Sequence, residues 1–224
     1  MESIDVHDEV KRVYVSDGSF STKTIIIATG GSHKKLAVPG EDTYAGRGVS
    51  YCATCDGNFF RNQDVVVVGG GDAAIDEGLY LTRMVNKVTV IHRRDRLRAT
   101  KILQERAFAS PNMEFRWNAV VEEIRGNGDM DHLLLRDLKT NQQLTMRASG
   151  IFIYIGFLPN SQFLSGLIPM DPGGHVASNI LMETEIPGVL VCGDVRQHSD
   201  RQLGTAVGDG ITAALSAYRY ITEG

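Results

Sequence analysis

The sequence predicts an α/β protein built around a nucleotide-binding strand–turn–helix unit, and three observations carry that expectation. Residues 65–68 are four valines that run straight into Gly69-Gly70-Gly71-Asp72-Ala73-Ala74 and a helical stretch. A short meander closing on an apolar strand occurs twice, ending once at Gly30 and once at Gly156, as one supersecondary unit used two times would. The composition, 42% hydrophobic and 22% charged over 224 residues, suits a globular protein with one large domain or two modest ones.

Residues 1–10 (MESIDVHDEV) are acidic and alternating, without the basic and apolar regions of a secretory signal. No apolar run approaches the ~18 residues of a membrane span. A soluble cytoplasmic protein with no membrane partner is expected, and the formal charge of −4 offers no basic surface to nucleic acid. Residues 10–15 read as a strand, Asp17-Gly18 as a turn, residues 21–24 as the return, and 25–30 (IIIATG) as an apolar strand broken by glycine.

The valine strand is expected to lie in a parallel sheet buried on both faces. The turn after it is G-x-G-x-x-A: Gly69 permits the tight turn, Gly71 lets backbone approach a pyrophosphate, and Ala74 lets a helix over 73–84 pack closely. That helix, opening at Asp72, turns its free N–H groups toward phosphates. A second strand follows at 88–91. About 20 residues after the turn, NAD-binding units carry an acid for the ribose 2′-hydroxyl; this chain has His92-Arg93-Arg94-Asp95-Arg96-Leu97-Arg98 there. The guanidiniums of Arg93, Arg94 and Arg98, with His92, would attract a 2′-phosphate, so the expected cofactor is NADP(H), not NAD(H).

A helix over 101–109 stops at Ser110-Pro111-Asn112, and strands are expected over 114–118, 120–124, 133–138 and 143–146 before the apolar 151–156 (IFIYIG). This second meander has its own strand, turn and helix ahead of it, whereas the first has only residues 1–9, so the chain is expected to begin in the middle of a domain. A last helix carries Ile211, Leu215, Tyr218 and Ile221 at helical spacing. Gly208 and Gly210 are expected at its start, where packing and approach of a cofactor ring explain them equally well.

CATCDG at 52–57, GGGDAAIDE at 69–77, HRRDRLRA at 92–99, GDVRQ at 193–197 and RQLGTAVGDGITAA at 201–214 stand in one order. In these segments, and along essentially its whole length, the chain resembles the low-molecular-weight thioredoxin reductases. The resemblance implies two Rossmann-like nucleotide-binding domains of three-layer ββα type. An NADP(H) domain over 32–149 would be inserted into an FAD domain made of 1–31 and 150–224. It places Ala28, Thr29 and Gly30 close to FAD, Gly193 and Asp194 at its ribityl or pyrophosphate region, and Arg201, Gln202 and Leu203 beside the isoalloxazine. Members of the family open with a first G-x-G-x-x-G unit, and this chain holds one fingerprint, so its FAD domain is expected to be incomplete. An NADP(H)-binding module or subunit without flavin activity of its own is the competing expectation.

Three cysteines make no disulfide scaffold, and Cys192, alone at a strand end, reads as a small buried hydrophobe. Cys52 and Cys55 as a zinc site would need two more ligands, and the six histidines show no paired ligand spacing, so no metal is expected. A structural bridge closing so short a loop would constrain little of the unfolded chain and would not persist in a reducing cytosol. Redox exchange remains, in which a mixed disulfide with a substrate is resolved by the neighbouring thiol. By itself Asp56 is an Asp-Gly turn signal; the resemblance makes it the acid/base of dithiol–disulfide interchange. The resemblance further implies hydride transfer from NADPH to FAD, opening of the Cys52–Cys55 disulfide by reduced FAD, and reduction of thioredoxin or a similar small dithiol protein by a homodimer. One domain would rotate on connectors near Gly31-Ser32-His33 and Ser149-Gly150.

Overall fold

The computed structural model describes residues 3–223. The chain divides into two compact units, Met1–Ser32 together with Phe157–Gly224, and His33–Gly156 between them in sequence.

The first unit opens with β1 (Ser3–Asp5), β2 (Lys11–Val15) and β3 (Gly18–Thr22), an antiparallel sheet whose second turn is Ser16-Asp17, one residue before the expected Asp17-Gly18, because Gly18 already pairs with Val15. The apolar strand that follows, β4 (Ile25–Ile27), ends three residues short of the expected Gly30. There the backbone leaves the ladder: Thr29 Oγ1 donates to the Asn160 carbonyl at 2.7 Å, Asn160 Nδ2 donates to the Thr29 carbonyl at 2.9 Å, and Gly30 has φ +62°. The chain then runs through β5 (Gly31–His33).

The second unit contains β6 (Val49–Ser50), α1 (Ala53–Asp56), β7 (Asp64–Gly69), α2 (Asp72–Leu81), β8 (Lys87–His92), α3 (Lys101–Ala109) and β9 (Met113–Trp117). A second antiparallel meander follows, β10 (Ala119–Asn127), β11 (Asp129–Asp137) and β12 (Gln143–Arg147), and then β13 (Gly150–Tyr154). Strands β6, β13, β7, β8 and β9 lie side by side in that order, all parallel. Because side chains alternate along a strand, the valine run serves two cores at once. Val65 and Val67 face α1, α2 and α3 with Ile75, Leu81, Ala107 and Phe152, while Val66 and Val68 face the meander with Ile91, Leu133, Leu135 and Ile151. Each such buried side chain contributes about 1.5–3 kcal/mol of transfer free energy before chain entropy is counted. Meander, parallel sheet and helices are the three layers. The sequence predicts the end of this segment at 149, but residues 150–156 fold with it because β13 lies in its parallel sheet, between β6 and β7.

The first unit resumes with β14 (Phe157–Pro159), β15 (Val189–Val191) and α4 (Leu203–Glu223). Strand β15 runs parallel to β4, with Val191 opposite Ile27. Val189 and Val191 join a core with Ile4, Ile27, Leu164 and Val176, and Leu190 and Cys192 pack against Ala213 and Ala217 of α4. Cys192 is buried, which pushes its thiol pKa up. Helix α4 begins at Leu203, so Gly208 and Gly210 lie inside it and not at its start. The apolar spacing is helical as expected, yet Ile211, Leu215, Tyr218 and Ile221 are 47–65% exposed. The buried face carries Asp209, Ala213, Ser216 and Ala217 instead. Asp209 fixes that orientation. Its carboxylate accepts from Arg196 Nε at 2.6 Å, from Arg196 Nη2 at 2.9 Å and from the Gly193 N–H at 3.1 Å, which ties α4 to the end of β15. Among the described residues, no helix is long and apolar enough to cross a membrane.

Removing one partner of a buried pair strands the other charge and the Gly193 amide. Asp209→Ala should lower the unfolding free energy by about 3–5 kcal/mol in urea titrations, and Asp209→Ala combined with Arg196→Met should lose less than the single change.

Candidate nucleotide cleft and redox loop

Both principal candidate sites lie within the His33–Gly156 unit. At the end of β7 the backbone turns at Gly69 with φ +156°, and a Cβ there would lie 2.5 Å from Ala74 Cβ and 2.6 Å from the Tyr154 carbonyl. The expected close approach of helix to strand is therefore present, with Ala74 itself buried. At Gly70 a Cβ would run into the His92 ring, so this glycine, given no role from sequence, makes room for the imidazole. Gly71 caps α2 with open space over its Cα, as backbone left clear for a ligand requires. Asp72, expected at the cofactor, is engaged elsewhere: its Oδ1 accepts the Thr100 N–H at 2.6 Å, which ties the glycine turn to the start of α3.

A cleft of about 440 Å³ opens beside this turn, lined by Gly69, Gly70, His92, Arg93, Arg98, Tyr154 and Ile155, with Lys34 and Lys35 on its rim. The Gly70 carbonyl accepts the Arg98 and Ala99 N–H groups at 2.7 and 3.2 Å, which pins the basic segment against the turn. Arg93 and Arg98 line the cleft, and Arg94 does not. His92 Nε2 is buried without a hydrogen-bond partner among the described residues, and such an atom in a cleft rimmed by cations fits an anionic ligand. Lys34 and Lys35 were missed by sequence reasoning because the lysine pair lies far along the chain from the fingerprint. Lys35 is ion-paired with Asp42 at 2.5 Å, which leaves Lys34 as the added cation.

The redox loop leaves the same sheet. Strand β6 pairs with β13, and two residues later Cys52 caps α1. Cys52 and Cys55 are joined in a disulfide with Cα atoms 5.3 Å apart, and the Cys55 N–H points at Cys52 Sγ at 3.2 Å. Thr54 and Cys55 are exposed. Asp56 is held by Ser50, whose Oγ donates to Asp56 Oδ2 at 2.6 Å and accepts the Cys52 N–H at 3.1 Å. Ser50 is 4% exposed, and in the sequence it is only a small polar residue after a single valine, with no pattern that marks it. Behind the loop, the Tyr154 hydroxyl accepts the Ala53 N–H at 2.6 Å and lies 3.4 Å from Glu77 Oε2, to which it donates. Burial pushes the Glu77 carboxyl up, and the Tyr154 hydroxyl and the amides of Thr54 and Ala53 partly oppose the shift. Burial and the Glu77 charge push the Tyr154 phenol up as well. Among the described residues, no group of three His, Cys, Asp or Glu stands together as a metal site would need.

The residues matched to FAD fall in the other unit. β4 and β15 are parallel, so Ala28, Thr29 and Gly30 and Gly193 and Asp194 emerge at one carboxyl edge, the place where open α/β sheets bind ligands. Gly193 takes φ +73°. Arg201 stacks 4.5 Å from the Phe157 ring centre and approaches His175 Nε2 at 3.3 Å, and Gln202 and Leu203 are exposed where α4 begins.

Comparisons with known proteins agree with this geometry. The sequence profile of the pyridine nucleotide-disulphide oxidoreductase family matches residues 2–210. A thioredoxin reductase of Bacillus subtilis (strain 168) is 46% identical over 216 residues, covering 96% of this chain and 68% of the relative. One from Streptomyces clavuligerus is 44% identical over 221 residues, covering 98% and 69%. The crystal structure of thioredoxin reductase from Streptococcus pyogenes MGAS5005 superposes with a TM-score of 0.95 at 47% identity, over all of this chain and 73% of that one.

His92 supplies a test of the cleft's electrostatics. Its burial, aided by Arg98 and Arg94, holds the imidazole below the ordinary histidine value, although backbone contacts to Gly69 and Arg96 act the other way. A histidine kept neutral by folding contributes stability that is present above pH 6.5 and lost as pH falls through its depressed folded value. His92→Gln should therefore show a smaller fall in melting temperature than the wild type between pH 6.5 and 5, read by calorimetry.

Proposed function

This chain belongs to the pyridine nucleotide-disulphide oxidoreductase family and is an enzyme of the thioredoxin-disulfide reductase type, and from that premise we propose that it uses NADPH and FAD to reduce a protein disulfide through Cys52 and Cys55. The observation that carries the reading is the redox loop itself: an accessible Cys52–Cys55 disulfide with a carboxylate, Asp56, fixed beside it by Ser50. We assign the His33–Gly156 unit to NADP(H) and the other unit to FAD. The orphaned His92 Nε2 and the open backbone at Gly71 support the first assignment.

When bound, NADPH supplies a hydride and FAD passes the electron pair on to the disulfide. Gly69, Gly71 and the N-terminus of α2 would hold the pyrophosphate, and His92, Arg93 and Arg98 the 2′-phosphate. Ala28, Thr29, Gly30, Gly193, Asp194, Arg201, Gln202 and Leu203 would border the flavin. In the outgoing half, one thiolate of the reduced pair attacks the substrate disulfide and forms a mixed disulfide, releasing the first substrate thiolate. The second thiol of the pair then displaces the other substrate sulfur and closes Cys52–Cys55 again. Asp56 moves the proton between the pair and the departing thiolates, and Ser50 keeps its Oδ2 in place. Thioredoxin is the substrate this reading favours, with a cytoplasmic homodimer as the working form.

A second reading is favoured by one observation: the parallel sheet of His33–Gly156 has five strands, whereas β4 and β15 form a two-stranded ladder among the described residues. It makes the chain an NADP(H)-binding module. Absorbance separates the two. Purified protein with a flavin spectrum near 450 nm that bleaches with NADPH supports the enzyme, and colourless protein that binds NADPH supports the module.

Cys52→Ser with Cys55→Ser should abolish NADPH-dependent reduction of thioredoxin, and retained activity would refute the scheme. Arg93→Ala and Arg98→Ala should each raise the Kd for NADPH about tenfold to a hundredfold, the loss of one charge-assisted contact, while leaving that for NADH unchanged in titrations.

A further inference from the structure

Glu77 and Tyr154 take part in none of the steps above, yet both face the redox loop. Glu77 lies on α2, the helix that starts at the nucleotide turn, and Tyr154 ends β13 directly opposite Gly69 in the parallel register. The Tyr154 hydroxyl receives the Ala53 N–H at 2.6 Å and reaches Glu77 Oε2 at 3.4 Å. Ala53 is fully buried and stands between the cap residue Cys52 and Thr54, so its amide is the point at which the loop is fastened to the nucleotide fold. A cavity of about 560 Å³ adjoins Thr54 and Glu77 and carries Asp76, Tyr80, Arg83 and Arg106 on its wall.

We propose that Tyr154 and Glu77 act as a positioning pair for the Cys52–Cys55 couple, with the hydroxyl fixing the first turn of α1 and the carboxylate setting the charge seen by the reduced thiols. This rests on the redox reading of the pair. A carboxylate behind the turn opposes thiolate formation, because like charges disfavour one another in a partly dehydrated site. It therefore keeps the couple more reducing than the loop would be alone, since a stabilised thiolate makes a disulfide more oxidising. The other groups facing it are Asp56 from α1, Asp76 from α2, Tyr80 and Arg83 from the end of that helix, and Arg106 from α3. Asp76 lies next to Glu77 and repels its charge, but it is exposed and, among the described residues, has no hydrogen bond to Tyr154, which makes it the comparison for a solvated charge at the same place.

The test uses the full chain without nicotinamide, flavin or thioredoxin. The couple is equilibrated with glutathione, two GSH and the Cys52–Cys55 disulfide giving the dithiol and GSSG, and the reduced pair is alkylated with iodoacetamide from pH 5 to 9. Glu77→Gln should raise the alkylation rate at pH 7 at least about threefold, the thiolate gain of a half-unit fall in thiol pKa, and should move the glutathione midpoint toward the dithiol. Asp76→Asn, which removes an exposed charge that acts on Glu77 through solvent, should change both by clearly less than Glu77→Gln does. Tyr154→Phe should shift the same profile, and in combination with Glu77→Gln the two shifts should fail to add. A role in stability alone would lower the melting temperature without moving the pH profile. The proposal is overturned if Glu77→Gln leaves the profile in place, if Asp76→Asn moves it equally, or if the double variant is additive. Should Tyr154→Phe not fold, the Glu77→Gln and Asp76→Asn profiles decide by themselves. No exchange with glutathione in the wild type would instead refute the redox reading beneath it.

Discussion

The His33–Gly156 unit depends on one close approach, at Gly69. With φ +156° and room for no Cβ between Ala74 and the Tyr154 carbonyl, this residue brings α2 down onto the sheet at the point where β7 ends. Three things follow from that packing. The turn borders the cleft through Gly69 and Gly70 with Gly71 uncovered beside them, Glu77 in the second turn of α2 is carried beneath the redox loop, and Tyr154 stands beside both. A side chain at 69 would push the helix off the strand and disturb nucleotide turn and redox loop together. Gly70 plays the matching part toward His92, and the Arg98 and Ala99 amides then lock the basic segment to the Gly70 carbonyl.

In the other unit the organising contact is electrostatic. Asp209 is 7% exposed, and a carboxylate so placed needs all its hydrogen-bonding capacity met. The bidentate Arg196 guanidinium and the Gly193 N–H meet it, and in doing so they decide which face of α4 turns inward. Small residues, Ala213, Ser216 and Ala217, then fit against Leu190 and Cys192, and the larger apolar residues of the helix are left facing outward. Periodicity alone points the other way, because it weighs an apolar stripe and not a buried ion pair.

Much of the fold was legible in the chain. The valine run, the glycine fingerprint and the twin meanders correspond to β7, α2, β2–β4 and β10–β13, because period-two and period-3.6 patterns and turn residues are local signals, whereas the three-residue β1 is too short to show one. The helix expected over 73–84 is Asp72–Leu81, its last turn replaced by a tighter one in which Thr82 Oγ1 donates to the Leu79 carbonyl. The basic segment after β8 and the cysteine pair were legible for the same reason: each is contiguous. Ser50, Glu77, Tyr154 and Lys34 were not. Ser50 has its partners only two and six residues away, but a lone serine carries no motif that marks it; the others matter through partners up to 101 residues away, as between Tyr154 and Ala53, and no short-range pattern encodes such a distance.

The sequence by itself determined which chemistry is carried: two thiols spaced for exchange, a turn shaped for phosphates, and arginines where a ribose acid would otherwise stand. These are properties of residue type and spacing, which the covalent chain already specifies. Only the tertiary structure decided how those groups are held. Asp72 spends its carboxylate on Thr100, Asp56 is fixed by Ser50, and a tyrosine and a glutamate from distant segments meet behind the redox loop. Such assignments arise when strands and helices remote in sequence are packed together, since burial then forces each polar group to find its partner among whatever the fold has brought within reach.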